Sequence, residues 1–496
     1  MRTITDSFIG PRYRVYATVP ESTSRTRRLI SIVSALSIPV IWFMTLPETA
    51  ETAGTVVMDT DARVTLVVFA VAVWMWVFSA VSDTFVALSA ASVLVLLGII
   101  SADALFSPLG SETIWLLIGA FIISSAVTRS GLALRVTVRI SVGISSPRIL
   151  VHVLTFATVL TAFVVPATSG RAALILPVFL AFSAVLPPWL LRVLAITLPS
   201  VVLFSAVASL IGAGAHLITE QILLDQGLEG FSFARWLLLG LPFALFSSHL
   251  AAEIILLALS DDQQRAQRLV ITEKLLNQGK DQEPLGAKEL RSLLVLAGVV
   301  ILWFTESIHH IPPAMVAVLG ALLAASPYIG TVDLAEAVRK IPWSLLLFMA
   351  ATIAISQALT ESGAVEILAS SLLQGLNGTM FVLVVIVVSA AAHLVIQSRS
   401  ARSAVLIPIV VALAPAVGVN PVAAAFISTA AAGFCHTLPA SAKPLAIFRG
   451  DDTGAKQNFD PSDLARMSLL MAPMFIAVTA VFAFCIWPAL GLPLFN

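Results

Sequence analysis

Uncharged apolar runs restrict this sequence more than any motif does. Leu66 to Ala80, Phe85 to Ile100, Leu293 to Phe304 and Met467 to Trp487 carry no formal charge, and several continue into apolar flanks. About 20 such residues cross the roughly 30 Å of hydrocarbon in a bilayer. These runs therefore read as spanning helices. Over all 496 residues, 58% are hydrophobic and 11% charged, with a mean hydropathy of +0.99, whereas soluble domains carry roughly 25% charged residues. The expected fold class is an all-α polytopic membrane protein.

The placement of charge sets the orientation. With 28 basic and 28 acidic residues the net charge is zero, which argues against a polyanion such as nucleic acid as partner. Arg2, Arg12, Arg14, Arg25, Arg27 and Arg28 precede the first apolar run, and no small-residue cleavage site follows it. A cleaved signal peptide is disfavoured, and the arginines place the amino terminus in the cytoplasm. Spans are expected near 29–46, 64–81, 84–100 and 112–128, the last ending inside at Arg129, Arg135, Arg139 and Arg148.

After a differently built segment at 149–188, spans near 192–222 and 235–258 return the chain to the cytoplasm. There 261–291, with Arg265, Arg268, Lys274, Lys280, Lys288 and Arg291, reads as a linker between two halves. The second half has spans near 292–308, 311–326 and 341–360, a second unusual segment at 379–416, and spans near 420–448 and 467–490, with Arg449 and Lys456 inside. The expectation is about eleven spans, with the carboxyl terminus outside. The domains read as an amino-terminal segment 1–28, three scaffold helices in 29–110, a first repeat 111–260, the linker 261–291, scaffold helices in 292–340 and a second repeat 341–496. Short loops and the lack of an organellar targeting segment favour a bacterial inner membrane.

The two unusual segments share a pattern. Ser169-Gly170-Arg171-Ala172-Ala173-Leu174-Ile175-Leu176-Pro177 recurs as Ser400-Ala401-Arg402-Ser403-Ala404-Val405-Leu406-Ile407-Pro408, with the arginines 231 residues apart. Thr128-Arg129-Ser130-Gly131 and Thr360-Glu361-Ser362-Gly363 repeat at 232. The orientation count makes one copy enter from the cytoplasm and the other from outside, so the repeats are inverted in topology, as in many transporters. Each copy reads as a re-entrant helical hairpin whose tip lies near the membrane midplane.

These residues resemble the divalent anion/sodium symporter family of dicarboxylate, citrate and sulfate carriers, over roughly residues 60 to 490. The family's hairpin tips carry Ser-Asn-Thr followed by small residues, aliphatics and proline; here Ala167-Thr168-Ser169 and Ser398-Arg399-Ser400 stand there, so both asparagines are gone. The family's two broken helices are matched by Ser209-Leu210-Ile211-Gly212-Ala213-Gly214 and by Leu438-Pro439-Ala440-Ser441-Ala442-Lys443-Pro444-Leu445. In the second of these, Lys443 and Leu445 replace a usual proline and asparagine. The resemblance implies a homodimer working by an elevator movement, with a scaffold part and a moving part in each protomer.

Broken helices persist in a membrane only where they are buried in protein or line a polar cavity. The tips and breaks are therefore expected to converge on a site for a small anion, met by half-helix N-termini and by the hydroxyls of Thr168, Ser169, Ser398 and Ser400. Arg171, Arg399, Arg402 and Lys443 are the unusual groups, since a charge at membrane depth costs about 3 kcal/mol even on a lenient scale. One or two of them are expected to pair with the substrate; the competing reading is a structural ion pair or a snorkelling side chain. Substrate-contacting candidates are Thr168, Ser169, Gly170, Arg171, Gly212, Ala213, Gly214, Ser398, Arg399, Ser400, Arg402, Pro439, Ala440, Ser441 and Lys443.

Fixed positive groups in place of the asparagines suggest transport without sodium, because a cation beside Arg399 is repelled at low dielectric. Na+ nevertheless stays open as a coupling ion alongside H+. Candidate proton carriers are His216 and His436 near the breaks, and Glu253 four residues after His249. His393, ahead of Gln397 on the second hairpin, is ambiguous. Glu112 and Asp83 lie near span ends and read as solvated. Ala133 to Ile144 reads as an amphipathic interfacial helix or a connector.

Cys435 and Cys485 sit in apolar segments and read as small buried residues. The sequence carries no phosphate-binding loop, nucleophile elbow or zinc spacing, so neither a cofactor, a metal nor an enzyme is expected. Rival readings are an anion channel using the arginines as a selectivity ring and an efflux carrier of similar architecture.

Overall fold

The computed structural model describes residues 60–79, 81–183, 185–272, 286–364, 376–437, 441–449 and 458–495. The amino-terminal segment, the expected span near 29–46, residues 273–285 of the linker, and Pro439 and Ala440 lie outside the described residues. Among the described residues, the helices of ten residues or more are α1 Thr60–Phe78, α2 Asp83–Leu96, α3 Glu112–Ser130, α4 Leu132–Ser141, α5 Pro147–Leu160, α6 Thr168–Ser183, α7 Pro188–Phe204 and α8 Gly214–Asp225. They continue as α9 Phe233–Leu259, α10 Ala287–Phe304, α11 Pro313–Ala324, α12 Trp343–Glu361, α13 Gly378–Ala391, α14 Arg399–Leu413, α15 Pro421–Ala431 and α16 Pro461–Val481. Among the described residues the only strand-like pairing is the bridge between Val419 and Phe495.

Among the described residues, seven helical stretches are long and apolar enough to cross a membrane, and six shorter apolar helices accompany them. Several starts are set by local chemistry. Ser82, Ser111, Ser146, Ser232, Asn377 and Ser398 each precede a helix and accept a hydrogen bond from a backbone N–H of its first turn, satisfying donors that have no partner inside the helix. The expected span near 84–100 stops sooner, at Leu96, where Gly98 takes φ 76° and turns the chain.

The repeat seen in the sequence extends to the helices. α3, α5 and α6 begin at 112, 147 and 168; α12, α13 and α14 begin at 343, 378 and 399, each 231 residues later. Both unusual segments are helix, break, helix, interrupted at 161–167 and at 392–398. The halves also exchange neighbours: α3 packs on α10 and α11, while α12 packs on α1 and α2.

Two expected spans are broken. Between 192 and 222, α7 gives way to 3-10 turns at Ser205–Ala208 and Leu210–Gly212, with Ser209 and Ala213 extended, before α8 starts at Gly214. Gly212 is needed at this break, because a Cβ there would lie 2.0 Å from the Ala206 carbonyl oxygen. Between 420 and 448, α15 stops at Ala431 and a short helix, Lys443–Arg449, begins beyond the second break.

Candidate functional site

A cavity of about 550 Å³ opens where the breaks at 161–167 and 392–398 meet the two broken helices. Thr168 and Ser169 line it from the first tip, and Ser398, Arg399, Ser400 and Arg402 from the second; Ala213, Gly214, Ser441 and Lys443 come from the breaks. The opposite wall is built by α1, α2 and α12, with Trp76, Asp83, Ser344 and Phe348. α6, α8 and α14 all start at the cavity, on the side of the breaks. Three helix N-termini thus direct backbone N–H groups and the positive ends of their dipoles at one space.

Arg399 and Arg402 add the fixed charge. Arg399 donates from Nη1 to the Leu203 carbonyl at 3.3 Å, and from Nη2 to His216 Nε2 at 3.1 Å and the Thr429 carbonyl at 3.5 Å. Arg402, fully buried, donates to the Phe434 carbonyl at 3.3 Å and to Cys435 Sγ at 2.6 Å. The Nε–H of each has no protein partner. Among the described residues no carboxylate lies within ion-pair distance of Arg171, Arg399, Arg402 or Lys443. A buried cation without a countercharge is expensive, and the acceptors that Arg399 and Arg402 reach are all neutral, with Asp83, the carboxylate of the lining, outside ion-pair distance. The arrangement is suited to holding an anion.

The other candidates lie behind the wall or away from it. Arg171, fully buried, donates to Thr161 Oγ1 at 3.0 Å, the Val202 carbonyl at 2.9 Å, the Thr158 carbonyl at 3.0 Å and Ser205 Oγ at 2.6 Å. It ties the first hairpin to the end of α7 and does not line the cavity. Gly170 packs against Val165, and Gly212 against Ala206. His436 is buried between Phe204 and Phe434. Glu253 accepts from Arg148 Nε at 3.0 Å and pairs with His152 at 2.9 Å, and His152 in turn meets His249 at 2.9 Å. That cluster links α5 to α9 outside the cavity. His393 bonds the Ala390 carbonyl and Thr437.

Sequence reasoning overlooked Cys435, which faces the cavity and accepts from Arg402. Its place in an apolar run gave it the appearance of packing; its adjacency to the second break was the available signal. Asp83 also lines the cavity, at the start of α2, instead of being merely a solvated span end.

The family model described as CitMHS, citrate transporter, matches residues 32–431, most of the chain. This protein belongs to the citrate transporter family. It is a multi-pass membrane transporter and not an enzyme. A membrane protein of Cupriavidus necator is 25% identical over 394 residues, covering 76% of this citrate-family chain and 74% of its own length. The sodium-dependent dicarboxylate transporter SdcS of Staphylococcus aureus is 26% identical over 427 residues, covering 77% and 79%. Among solved structures, the YdaH transporter of Alcanivorax borkumensis aligns with a TM-score of 0.57 at 14% identity over 95% of this chain and 100% of that one. MtrF of Neisseria gonorrhoeae, whose structure is described as illuminating a class of antimetabolite efflux pumps, aligns with a TM-score of 0.53 at 15% identity, covering 95% and 96%. At such identities these two share the fold.

Proposed function

We propose that this member of the citrate transporter family is a secondary active carrier of small di- or trivalent anions, with citrate and dicarboxylates ahead of sulfate and organosulfonates, and that it works without sodium. One observation carries the reading: Arg399 and Arg402 line a cavity met by three helix N-termini, and among the described residues no carboxylate pairs with either within ion-pair distance. Guanidinium binds carboxylate bidentately, and the enclosed Nε–H of each arginine has no protein partner. Citrate and dicarboxylates come first because of the family matched and because SdcS is a dicarboxylate transporter.

In this reading, 149–188 and 379–416 are re-entrant hairpins within inverted repeats. They carry substrate by alternating access in a homodimer of about eleven spans per protomer, in a bacterial inner membrane. Pairs within the chain support the grouping of segment ends on common sides of the membrane. Arg129 pairs with Glu336, Arg135 with Glu289, Arg148 with Glu253 and Arg192 with Asp463, all residues counted as cytoplasmic. Asn420 bonds Leu494, and Trp303 bonds Pro313, all at or beyond the external ends of expected spans.

The test is uptake of labelled citrate, succinate and sulfate into liposomes holding the full chain, under a sodium gradient, a proton gradient or internal unlabelled anion. Saturable uptake of one anion that persists without sodium is expected. Currents far above carrier turnover would overturn the carrier in favour of a channel, and strict sodium dependence would overturn the coupling.

A further inference from the structure

The pair between Arg399 and His216 joins the second hairpin tip to α8 of the first half, across 183 positions in sequence. A guanidinium has five N–H donors and no acceptor. At 3.1 Å from Arg399 Nη2, His216 Nε2 therefore accepts with its lone pair and carries no proton. The ring's hydrogen is then on Nδ1, which lies 3.0 Å from the Ser209 carbonyl, an acceptor. Both ring nitrogens are committed, in opposite senses, and the ring is fully buried beside Trp236 at 5.1 Å between centroids.

We propose that His216, held as its neutral Nδ1–H tautomer by the Ser209 carbonyl, is a positioning residue that fixes the Arg399 guanidinium for the anion. The inference rests on the reading of the cavity as the substrate site. Ser209 is extended between the two 3-10 turns of the break, so the broken backbone orients the imidazole and the imidazole orients the guanidinium. The other Arg399 acceptors, Leu203 and Thr429, are carbonyls at 3.3 and 3.5 Å; His216 is the closest of the three. A proton on Nε2 would set N–H against N–H, so His216 takes one up only if Arg399 leaves. Proton carriage by His216 and the Arg399 pose are mutually exclusive.

The test uses the full chain in liposomes with labelled citrate, comparing wild type, His216→Gln, His216→Asn, Arg399→Gln and the double variant His216→Asn with Arg399→Gln. A glutamine amide oxygen reaches the place of Nε2 and keeps an acceptor for Arg399; an asparagine amide reaches only the place of Nδ1. His216→Asn is expected to raise KM about tenfold, the scale of one lost hydrogen bond to a charged group, with Vmax little changed. His216→Gln should stay near wild type, and the double variant should have the KM of Arg399→Gln alone, because His216 acts through that side chain.

Equal effects of Asn and Gln, or KM changes that multiply in the double variant, would overturn the proposal and leave the cavity reading intact. A wild-type KM in Arg399→Gln would instead sink the cavity reading. Should His216→Asn fail to fold, nitrogen NMR of wild-type protein labelled at histidine, assigned by the signal lost in His216→Gln, decides the matter. A protonated Nδ1 with an unprotonated Nε2 supports the proposal, and the opposite tautomer refutes it.

Discussion

Arg171 and Arg402 hold the same register in the two repeats, 231 residues apart, yet their guanidinium groups do different work. Arg171 meets four protein acceptors and stays behind the cavity wall; Arg402 meets two, leaves its Nε–H unpartnered and faces the cavity. The same sequence pattern is thus a structural tie in one half and part of the cavity wall in the other.

Removal of Arg171 should therefore be felt in folding. Arg171→Gln strips buried acceptors of a charged donor, each such loss costing about 1–3 kcal/mol. The expected result is a stability loss of about 3 kcal/mol or more in detergent denaturation and a lower yield of folded protein, while the fraction that folds keeps a citrate KM close to wild type. Arg402→Gln should do the reverse, raising KM about tenfold or more through the lost charge-assisted contact with only a modest loss of stability. If Arg171→Gln raised KM while denaturing like wild type, the division of labour would be wrong.

Cys435 gives a chemical handle on occupancy. Its thiol lies in the cavity wall against Arg402, and Cys485 is exposed elsewhere. In a Cys485→Ser background, a small charged thiol reagent should label Cys435, and saturating citrate should slow that labelling several-fold. Labelling unaffected by any of the three anions would place the substrate elsewhere. Cys435→Ser keeps an acceptor for Arg402 and should transport, whereas Cys435→Ala leaves the buried Nη2 short of a partner and should not bind as tightly.

Gly212 makes the first break possible, and a substitution there should be disproportionate. A Cβ at Gly212 would meet the Ala206 carbonyl oxygen at 2.0 Å, and backbone cannot yield as a flexible side chain does. At Gly298, in α10, a Cβ meets nothing within 4 Å. Gly212→Ala should abolish uptake with a stability loss of a few kcal/mol. Gly298→Ala, inside a helix, should be neutral or stabilising by up to about 1 kcal/mol. Size-exclusion profiles and uptake rates of the two variants make the comparison, and equal behaviour would refute it.

The parts of this site that could be read from sequence are those that interrupt a pattern. Charges such as Arg171, Arg399 and Arg402 stand out in an apolar run, and the small residues and prolines that repeat at 231 mark where helices break. What could not be read is the wiring. Arg171 and Arg399 donate largely to main-chain carbonyls of Thr158, Val202, Leu203 and Thr429, groups that every residue has and no residue name reveals. Cys435 is indistinguishable in type from packing. Glu253 paired in sequence only with His249, while Arg148 and His152, which hold it, come from a helix about a hundred residues earlier. The second wall of the cavity was hidden because Trp76, Asp83 and Phe348 acquire meaning only when α12 crosses to pack on α1 and α2.

Sodium should be dispensable, and the reason lies in where Arg399 rests. Its guanidinium points to the Leu203 and Thr429 carbonyls, near the C-terminal ends of α7 and α15. Helix ends of this kind carry partial negative charge, and unwound carbonyls at such breaks are what secondary transporters use to coordinate sodium. A sodium ion placed about 4 Å from the guanidinium would be repelled by about 4 kcal/mol at an effective dielectric of 20, which weakens binding by about a thousandfold. Uptake of citrate should accordingly be the same when sodium is replaced by choline at constant pH and membrane potential. Arg399→Gln removes the repulsion and frees both carbonyls, so any sodium stimulation should appear in that variant and be absent from the wild type. Sodium stimulation in the wild type that Arg399→Gln leaves unchanged would mean that the coupling ion binds away from this arginine, and the exchange of sodium for fixed charge would fall.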